Sequence, residues 1–426
     1  MIGLSRDLVI AQKKEAREKR HKKLHKKQSS KNISKLDQQL KGSNQSNMRA
    51  YNERLVLSLV RRNGPLPKMI IAQMTGLSAQ TVSVIMRSLE ADGLLVKSEP
   101  VRGKVGQPSV PLSLNPDGAL FLGLKIGRRS SELILVDFLG QVKKRTVHTY
   151  PFPEPKDIEK FTLKSIKEFE ADLGETNKIS GLGIAMPFEL WNWAEAIGAS
   201  IDKMESWKTY DIQKVLRSYC SYPVYLQNDA TAACGAELAF GTNQNKRDFA
   251  YFYIGTFIGG GLVINGSLFI GKNGNAGALG SMLISDKNGN TTQLINEASI
   301  ITFERQLQEA HEDPSPLWNR ENGWQDFNEK ITPWVERVAN GLAQAIISTT
   351  ALLDQEATVI DGAFPEQVRS KIVDATRQAI KKYSQHGIEQ PVISEGSLGT
   401  IARALGGASL PLFDHYLVDQ NLSLNQ

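Results

Sequence analysis

The stretch PLPKMIIAQMTGLSAQTVSVIMRSLEADGLL, Pro65 to Leu95, decides how the N-terminal part of the chain folds. It predicts two short helices around a tight turn. Pro67 suits a first helical position, where the missing N–H is no loss. Ile70, Ile71, Ala72 and Met74 give the first helix an apolar side. Gly76 ends it, and Ser78 is a good N-cap for the next helix. There Val82, Ile85, Met86 and Leu89 recur at helical spacing. The opposite face carries Gln80, Thr81, Ser83 and Arg87, polar groups suited to base edges and phosphates. Gly93 stops the helix and Leu94-Leu95-Val96 begins an extended run. The pattern is a helix-turn-helix followed by a wing, and its expected partner is double-stranded DNA.

Upstream, Asn44 to Asn63 reads as a further helix, with Tyr51, Leu55 and Leu59 at every fourth position and Val56 beside them. It completes a three-helix core. Arg49, Arg54, Arg61 and Arg62 decorate it. Downstream, Leu94–Lys97 and Val110–Leu114 are expected to pair as the wing. Between them Arg102, Lys104 and Gln107 stand in a glycine- and proline-punctuated basic loop. Such a loop suits the narrow minor groove of A·T-rich flanks.

The net charge of +6 is unevenly spread. Residues 1–42 hold 13 Lys/Arg against 4 Asp/Glu, whereas the other 38 basic and 41 acidic residues leave the rest of the chain at −3. The segment EAREKRHKKLHKK, Glu15 to Lys27, has too little apolar surface to fold alone and reads as a disordered basic tail, able to tether phosphates non-specifically. Cys220 and Cys234 offer neither a disulfide framework nor a multi-cysteine metal cluster. No apolar run approaches 18 residues, and the start of the chain is the reverse of a secretion signal. A cytoplasmic protein without a membrane span is expected.

From Gly118 the chain alternates strands and helices. Ala119–Ile126, Glu132–Phe138 and Val142–Tyr150 read as strands, Lys156–Leu173 as a helix, and Ile179–Met186 as a buried strand. Pro223–Leu226 and the small-residue helix Ala230–Ala239 follow, then strands Phe249–Ile254 and Gly261–Ile264. A long helix Ile331–Leu353, strand Ala357–Ile360, helix Glu366–Tyr383, strand Pro391–Ser394 and helix Thr400–Leu405 close the series. Two α/β lobes in sequence fit this order. The polar region Gln306 to Lys330 reads as a surface insertion or an interface element.

LQNDATAACGAELAFG (Leu226–Gly241) and IGTFIGGGLVINGSLFIGKNGNAGALGS (Ile254–Ser281), behind a helix-turn-helix, resemble the ROK family of repressors and sugar kinases. The resemblance spans about residues 44–410 and is nearest to the xylose/N-acetylglucosamine repressor type. It implies a multidomain protein, an N-terminal winged helix-turn-helix followed by an actin-like (ribonuclease H-like) two-lobed sugar-kinase domain. The expected boundaries are a tail at 1–43, a DNA-binding domain at 44–115, a sensor at 118–410 with lobes 118–240 and 241–410, and a C-terminal tail at 411–426. By the same resemblance Asn228 would bind a sugar hydroxyl, Asp229 would match the kinase base, and Gly255, Gly260 and Ser281 would line the ligand site.

The departures from the family pattern are specific. The phosphate loop Asp-x-Gly-Gly-Thr is here Lys125-Ile126-Gly127-Arg128-Arg129, which puts a cation where a metal-organising carboxylate belongs. The sugar-site Gly-Glu-x-Gly-His is Gly277-Ala278-Leu279-Gly280-Ser281, Asp286–Thr292 has none of the zinc cysteines, the usual glutamate is Ile295, and the adenosine-side Gly-Gly is Asp361-Gly362. Phosphoryl transfer needs metal, phosphate cradle and base together, so Asp229 is expected to be vestigial and no catalytic residue, metal or cofactor is expected. The resemblance therefore implies a DNA-binding repressor of carbohydrate uptake or catabolism genes, a homodimer or homotetramer on a palindromic operator. Its effector would be a sugar or, if Lys125, Arg128 and Arg129 face the cleft, a sugar phosphate. The alternatives are an ATP-dependent sugar kinase with an accessory DNA-binding domain, or a sensor acting through a protein partner.

Overall fold

The computed structural model describes residues 47–99, 110–174, 179–194, 198–319 and 323–418. Contacts cluster the chain into two compact units, Met1–Leu55 and Val56–Gln426. Of the first, residues 47–55 are described, and they are helical throughout. The helix continues into the second unit and ends at residue 63 (α1, 47–63). Its buried side chains are Val56, Leu57 and Val60, while Tyr51 is 44% exposed. The burial seam thus runs one position away from the Tyr51-Leu55-Leu59 repeat expected from the sequence.

Helices α2 (Lys68–Thr75) and α3 (Ala79–Ala91) bend by 117° about the turn at Gly76, which takes a left-handed φ of 70°. That angle is in the range of helix-turn-helix motifs. Only Ile71 of α2 is fully buried, whereas Ile70 and Met74 are exposed. The apolar side expected there is narrower than the sequence suggested. In α3 the expected set Val82, Ile85, Met86 and Leu89 is buried. Strands β1 (Leu95–Lys97) and β2 (Leu112–Leu114) pair antiparallel, Leu95 opposite Leu114, as the wing.

The remainder is built twice on one plan. The first sheet has the order β5-β4-β3-β6-β7, from β3 (Leu120–Ile126), β4 (Ser130–Val136), β5 (Val142–Thr149), β6 (Ile179–Met186) and β7 (Val224–Asn228). The second has the order β10-β9-β8-β13-β14, from β8 (Phe249–Ile254), β9 (Ile258–Ile264), β10 (Ser267–Phe269), β13 (Ala357–Gly362) and β14 (Ile393–Glu395). The hairpin β11 (Leu283–Ser285) with β12 (Thr291–Gln293) stands apart. In each sheet the first three strands form an antiparallel meander and the last two run parallel to the first. Parallel neighbours require crossovers. These are α4 (Pro155–Leu173), α5 (Ile201–Glu205) and α6 (Ile212–Tyr219) in the first lobe. The second lobe uses α8 (Ile300–Glu309), α9 (Pro316–Asn319), α10 (Thr332–Leu353) and α11 (Glu366–Ala379).

Two helices tie the lobes together. α7 (Asp229–Phe240) follows the first sheet yet packs on β9 of the second. α12 (Ala402–Tyr416) follows the second sheet yet packs on β3 and β6 of the first and along α7. The contacts are backbone to backbone: a Cβ on Gly183 would lie 1.8 Å from the Gly407 carbonyl oxygen, and one on Gly123 2.1 Å from that of Ala404. The C-terminal tail expected from 411 therefore cuts a helix that runs to Tyr416, with Pro411 inside it. The lobe boundary at 240/241 also fails for α12, which covers the first sheet. Sequence order misplaces it because a crossover between lobes leaves no local signal.

Candidate functional site

Two surfaces concern function, the outer face of α3 and the cleft between the lobes. On α3, the Ser78 side chain accepts a hydrogen bond from the Thr81 N–H at 3.1 Å, satisfying a terminal amide. The Thr81 hydroxyl lies 2.8 Å from the same Ser78 oxygen and so belongs to the cap. Ser83 donates to the Ala79 carbonyl at 2.6 Å, and Arg87 Nε to that of Ser83 at 3.2 Å. Of the four expected base-reading residues, Gln80 and the outer nitrogens of Arg87 project from the helix. Val84 lies between them and is 48% exposed. At spacing i, i+4, i+7 the three share one stripe, and an apolar Val84 suits a thymine methyl. The sequence hides this residue among valines and isoleucines of the core. Arg102, Lys104 and Gln107 lie outside the described residues.

The cleft encloses about 1330 Å³. Lys125, Arg128 and Arg129, at the end of β3, line its first-lobe wall. Lys125 and Arg128 face the cleft and not bulk solvent, at 7% and 8% exposed, whereas Arg129 is half-buried. Lys125 folds back over Gly127 and donates to Ser130 Oγ at 2.8 Å. Burial, and then the Arg403 charge, lowers its pKa to about 7. Arg128 stacks 4.4 Å from the Phe257 ring centre, its pKa brought down to about 10 by burial against the opposing pull of Asp229. Arg129 reaches across to Glu304 of α8 at 2.8 Å and lies 5.2 Å from the centre of the Trp318 ring. Trp318 in turn donates to Glu304 at 3.0 Å. The polar region of the sequence around 306–330 is thus a wall of the cleft, contributing Asp313, Leu317, Trp318 and Trp324.

At the head of α7, the Asn228 side-chain oxygen accepts from the N–H groups of Ala230 and Thr231, which fixes the cap. Asp229 turns toward Arg403, the second residue of α12, with Oδ2 3.2 Å from Nη1. Both side chains are nearly buried, at 13% and 11% exposed. Burial works to lower the Arg403 pKa, but Tyr253 and Asp229 beside it raise it above the ordinary arginine value. Nothing in the sequence around Ala402 to Gly407 signals this partner, which comes from 174 residues downstream.

The five expected ligand residues do not share one surface. Gly260 is inside β9, opposite Phe252, where a Cβ would lie 2.5 Å from the Tyr251 carbonyl oxygen. Glycines 259–261 are a strand against α7 and Leu279 and not a loop, as the start of the strand at Ile258 shows. Gly255 is buried, its carbonyl accepting from the Ile300 N–H at 3.0 Å. Ser281 is exposed at the end of a single 3₁₀ turn, Leu279–Ser281.

Asp361 lies at the end of β13, next to Gly362. It is fully buried and accepts from Tyr251 Oη (3.1 Å) and from the N–H groups of Gly362 (2.9 Å) and Gly399 (2.9 Å). Burial raises its pKa against the pull of those amides and of Arg369. A nucleotide's metal does not fit at Lys125, because a cation cannot coordinate it. The zinc position does not fit either. Asp286 there caps its own turn through the N–H groups of Asn288 and Asn290, and among the described residues no three His, Cys, Asp or Glu side chains converge as a metal site.

Comparison with known proteins agrees with both halves of the fold. The family model described as "ROK family" matches residues 121–412, and that described as "Winged helix-turn-helix DNA-binding" matches residues 49–96. The xylose repressor of Bacillus spizizenii is 24% identical over 403 residues, covering 88% of this chain and 98% of that protein. The crystal structure of a ROK family transcriptional regulator, a homologue of the E. coli MLC protein, superposes with a TM-score of 0.64 at 21% identity, over 88% of this chain and 98% of that one. A ROK family glucokinase from Streptomyces griseus, solved with glucose and AMPPNP, gives a TM-score of 0.52 at 18% identity, over 68% of this chain and 99% of that one. The last two likenesses speak for the fold.

Proposed function

From the premise that this chain belongs to the ROK family, we propose that it is a sequence-specific DNA-binding repressor of carbohydrate uptake or catabolism genes, switched by a sugar-type effector. One observation carries the reading. A helix-turn-helix with an exposed Gln80-Val84-Arg87 stripe is joined to a kinase-like cleft lined by Arg403, which is held in an ion pair with Asp229. We assign DNA binding to residues 44–115 and sensing to the chain from 118 to the end of α12, with the cytoplasm as its compartment. Among the described residues no single helix is long and apolar enough to cross a membrane. The protein would act as a homodimer or homotetramer on a palindromic operator, since two recognition helices reading one DNA face match two-fold symmetric half-sites.

A catalytic role is disfavoured. In a phosphotransferase Asp229 would take the proton of the attacking hydroxyl, but here its Oδ2 is engaged by Arg403. The phosphate path holds Lys125, and the adenosine side holds Asp361. A hydroxyl-bearing effector would meet Asn228 and Asp229, and D-xylose is the first candidate because the similar Bacillus protein is a xylose repressor. A sugar phosphate is the second reading, favoured by Lys125, Arg128 and Arg129 lining the cleft. Calorimetric titration with D-xylose and with sugar phosphates separates them. Binding of an anionic effector that is unchanged by Arg128→Ala and Arg129→Ala would sink the phosphate reading.

The DNA half is tested by capturing bound genomic fragments and repeating the gel shift with variants. Gln80→Ala should relax base preference by about 1–3 kcal/mol at one position. Arg102→Ala should weaken binding mainly at A·T-rich flanks. Equal operator binding by both variants would refute the assignment. The kinase alternative predicts ADP release with hexoses or amino sugars that disappears in Asp229→Asn.

A further inference from the structure

Arg403 stands at the head of α12, the helix that leads from the cleft toward α1 of the DNA-binding domain. Its guanidinium lines the cleft, pairs with Asp229 and lies 5.2 Å from the Tyr253 ring centre, while its buried Nε has no hydrogen-bond partner. From this residue α12 runs 13 positions to Tyr416, roughly 20 Å of helix at 1.5 Å per residue. Near its middle it meets the neighbouring backbones without intervening side chains, Gly406 against Ala232 of α7 and Gly407 against Gly183 of β6. A helix packed in this way cannot absorb a displacement by changing rotamers, so it moves as a unit.

The far end of α12 holds the DNA-binding unit. Tyr416 packs edge-on against Phe121 and Phe138, at 5.8 and 5.1 Å between ring centres. Just beyond it, the Val418 N–H donates to Ser58 Oγ of α1 at 3.0 Å. One turn along α1, Arg61 donates to the Phe138 carbonyl and lies between the rings of Phe138 and Phe240, 5.2 and 5.6 Å from their centres. The C-terminal half of α1 is thus anchored by α12, by the β4–β5 turn and by the end of α7.

We propose that Arg403 is the ligand-sensing residue of the cleft and that α12 is the rod carrying its displacement to Ser58 and α1. The inference rests on the reading of the cleft as the effector site. A polyhydroxylated ligand that reaches Asp229 takes the carboxylate oxygen now given to Arg403. The guanidinium loses its partner at the cleft wall, where its side chain is 11% exposed, so the first turn of α12 shifts and the Val418–Ser58 contact changes register.

Hydrogen exchange of the full-length protein tests the linkage without sugar or DNA. Arg403→Met and Asp229→Asn should each raise exchange across residues 56–63 by about tenfold, with the β13 amides unchanged as the folding control. The double variant should exceed neither single one, because both break the same pair. Exchange at 56–63 within about twofold of wild type in both single variants would overturn the proposal. Asp229→Asn alone decides if Arg403→Met does not fold. In a separate arm, D-xylose and D-glucose are added to the wild-type protein. Exchange that rises in the variants but with neither sugar would keep the rod and overturn the sugar-effector reading instead.

Discussion

Replacing Lys125 with methionine should stabilise the protein, and by an amount that depends on pH. The lysine is 7% exposed at the end of β3, and its pKa falls from 10.5 to about 7 through burial and the nearby Arg403. Below pH 7 both folded and unfolded chains carry the proton, and the full cost of burying the charge is present. Between pH 7 and 10.5 the unfolded chain holds a proton that the folded one lacks, so stability rises with pH. At about 1.36 kcal/mol per unit the cost is close to 5 kcal/mol at pH 6 and about 2 kcal/mol at pH 9. Methionine keeps most of the volume and removes the titration. It also forfeits the hydrogen bond to Ser130, about 1 kcal/mol and nearly independent of pH. Urea denaturation followed by tryptophan fluorescence, at pH 6 and pH 9, gives the difference in stability between variant and wild type. Groups beyond the charges that couple to Lys125 titrate alike in both proteins and cancel. The advantage of the variant should shrink by about 3 kcal/mol from pH 6 to pH 9. A constant difference, or one that grows with pH, refutes the burial of a titrating lysine at the end of β3.

Other expectations follow from single contacts. Gly183→Ala drives a Cβ to 1.8 Å from the Gly407 carbonyl oxygen, so the lobes and α12 must separate; a loss of about 3 kcal/mol or more in denaturant titrations is expected. Ser78→Ala removes the cap of α3 and should cost about 1 kcal/mol, seen as a lower melting point of the DNA-binding unit and weaker operator binding by anisotropy. Cys234 is fully buried with its thiol pKa pushed well above normal, and it should resist iodoacetamide at pH 7 until the protein is unfolded, whereas the half-buried Cys220 should label first by mass spectrometry.

Local rules made the helix-turn-helix legible. Gly76, Ser78 and the Val82-Ile85-Met86-Leu89 seam are decided by residues within one turn of each other, and all four of those apolar side chains are buried. The two-lobed order of strands and helices was legible for the same reason, down to the bounds of Ile179–Met186 and Phe249–Ile254. The placement of Lys125, Arg128 and Arg129 at the cleft, which the sequence analysis left conditional, took the structure to see. What stayed hidden depends on distant partners. Arg403 looks like any exposed arginine of a helix start, and its meaning comes from Asp229. Trp318 and Glu304 close the cleft only because α8 and the following segment fold over Arg129. Gly260 reads from the resemblance as lining of the ligand site, but glycines 259–261 are small because α7 and Leu279 press on a strand.

The placement of α12 also fixes an order of events in biosynthesis. One face of the first sheet is covered by a helix that ends at Tyr416, some 290 positions after β3 ends at Ile126. At about 5–20 residues per second the ribosome needs roughly 15–60 seconds to make that span. During that interval the helix-turn-helix has every residue of its own seam, while the β3–β6 surface waits uncovered for Ala404, Gly407 and Leu410. A nascent or prematurely stopped chain would therefore present a DNA-reading module with an unfinished sensor and an exposed apolar sheet, a species for chaperones to hold and proteases to remove.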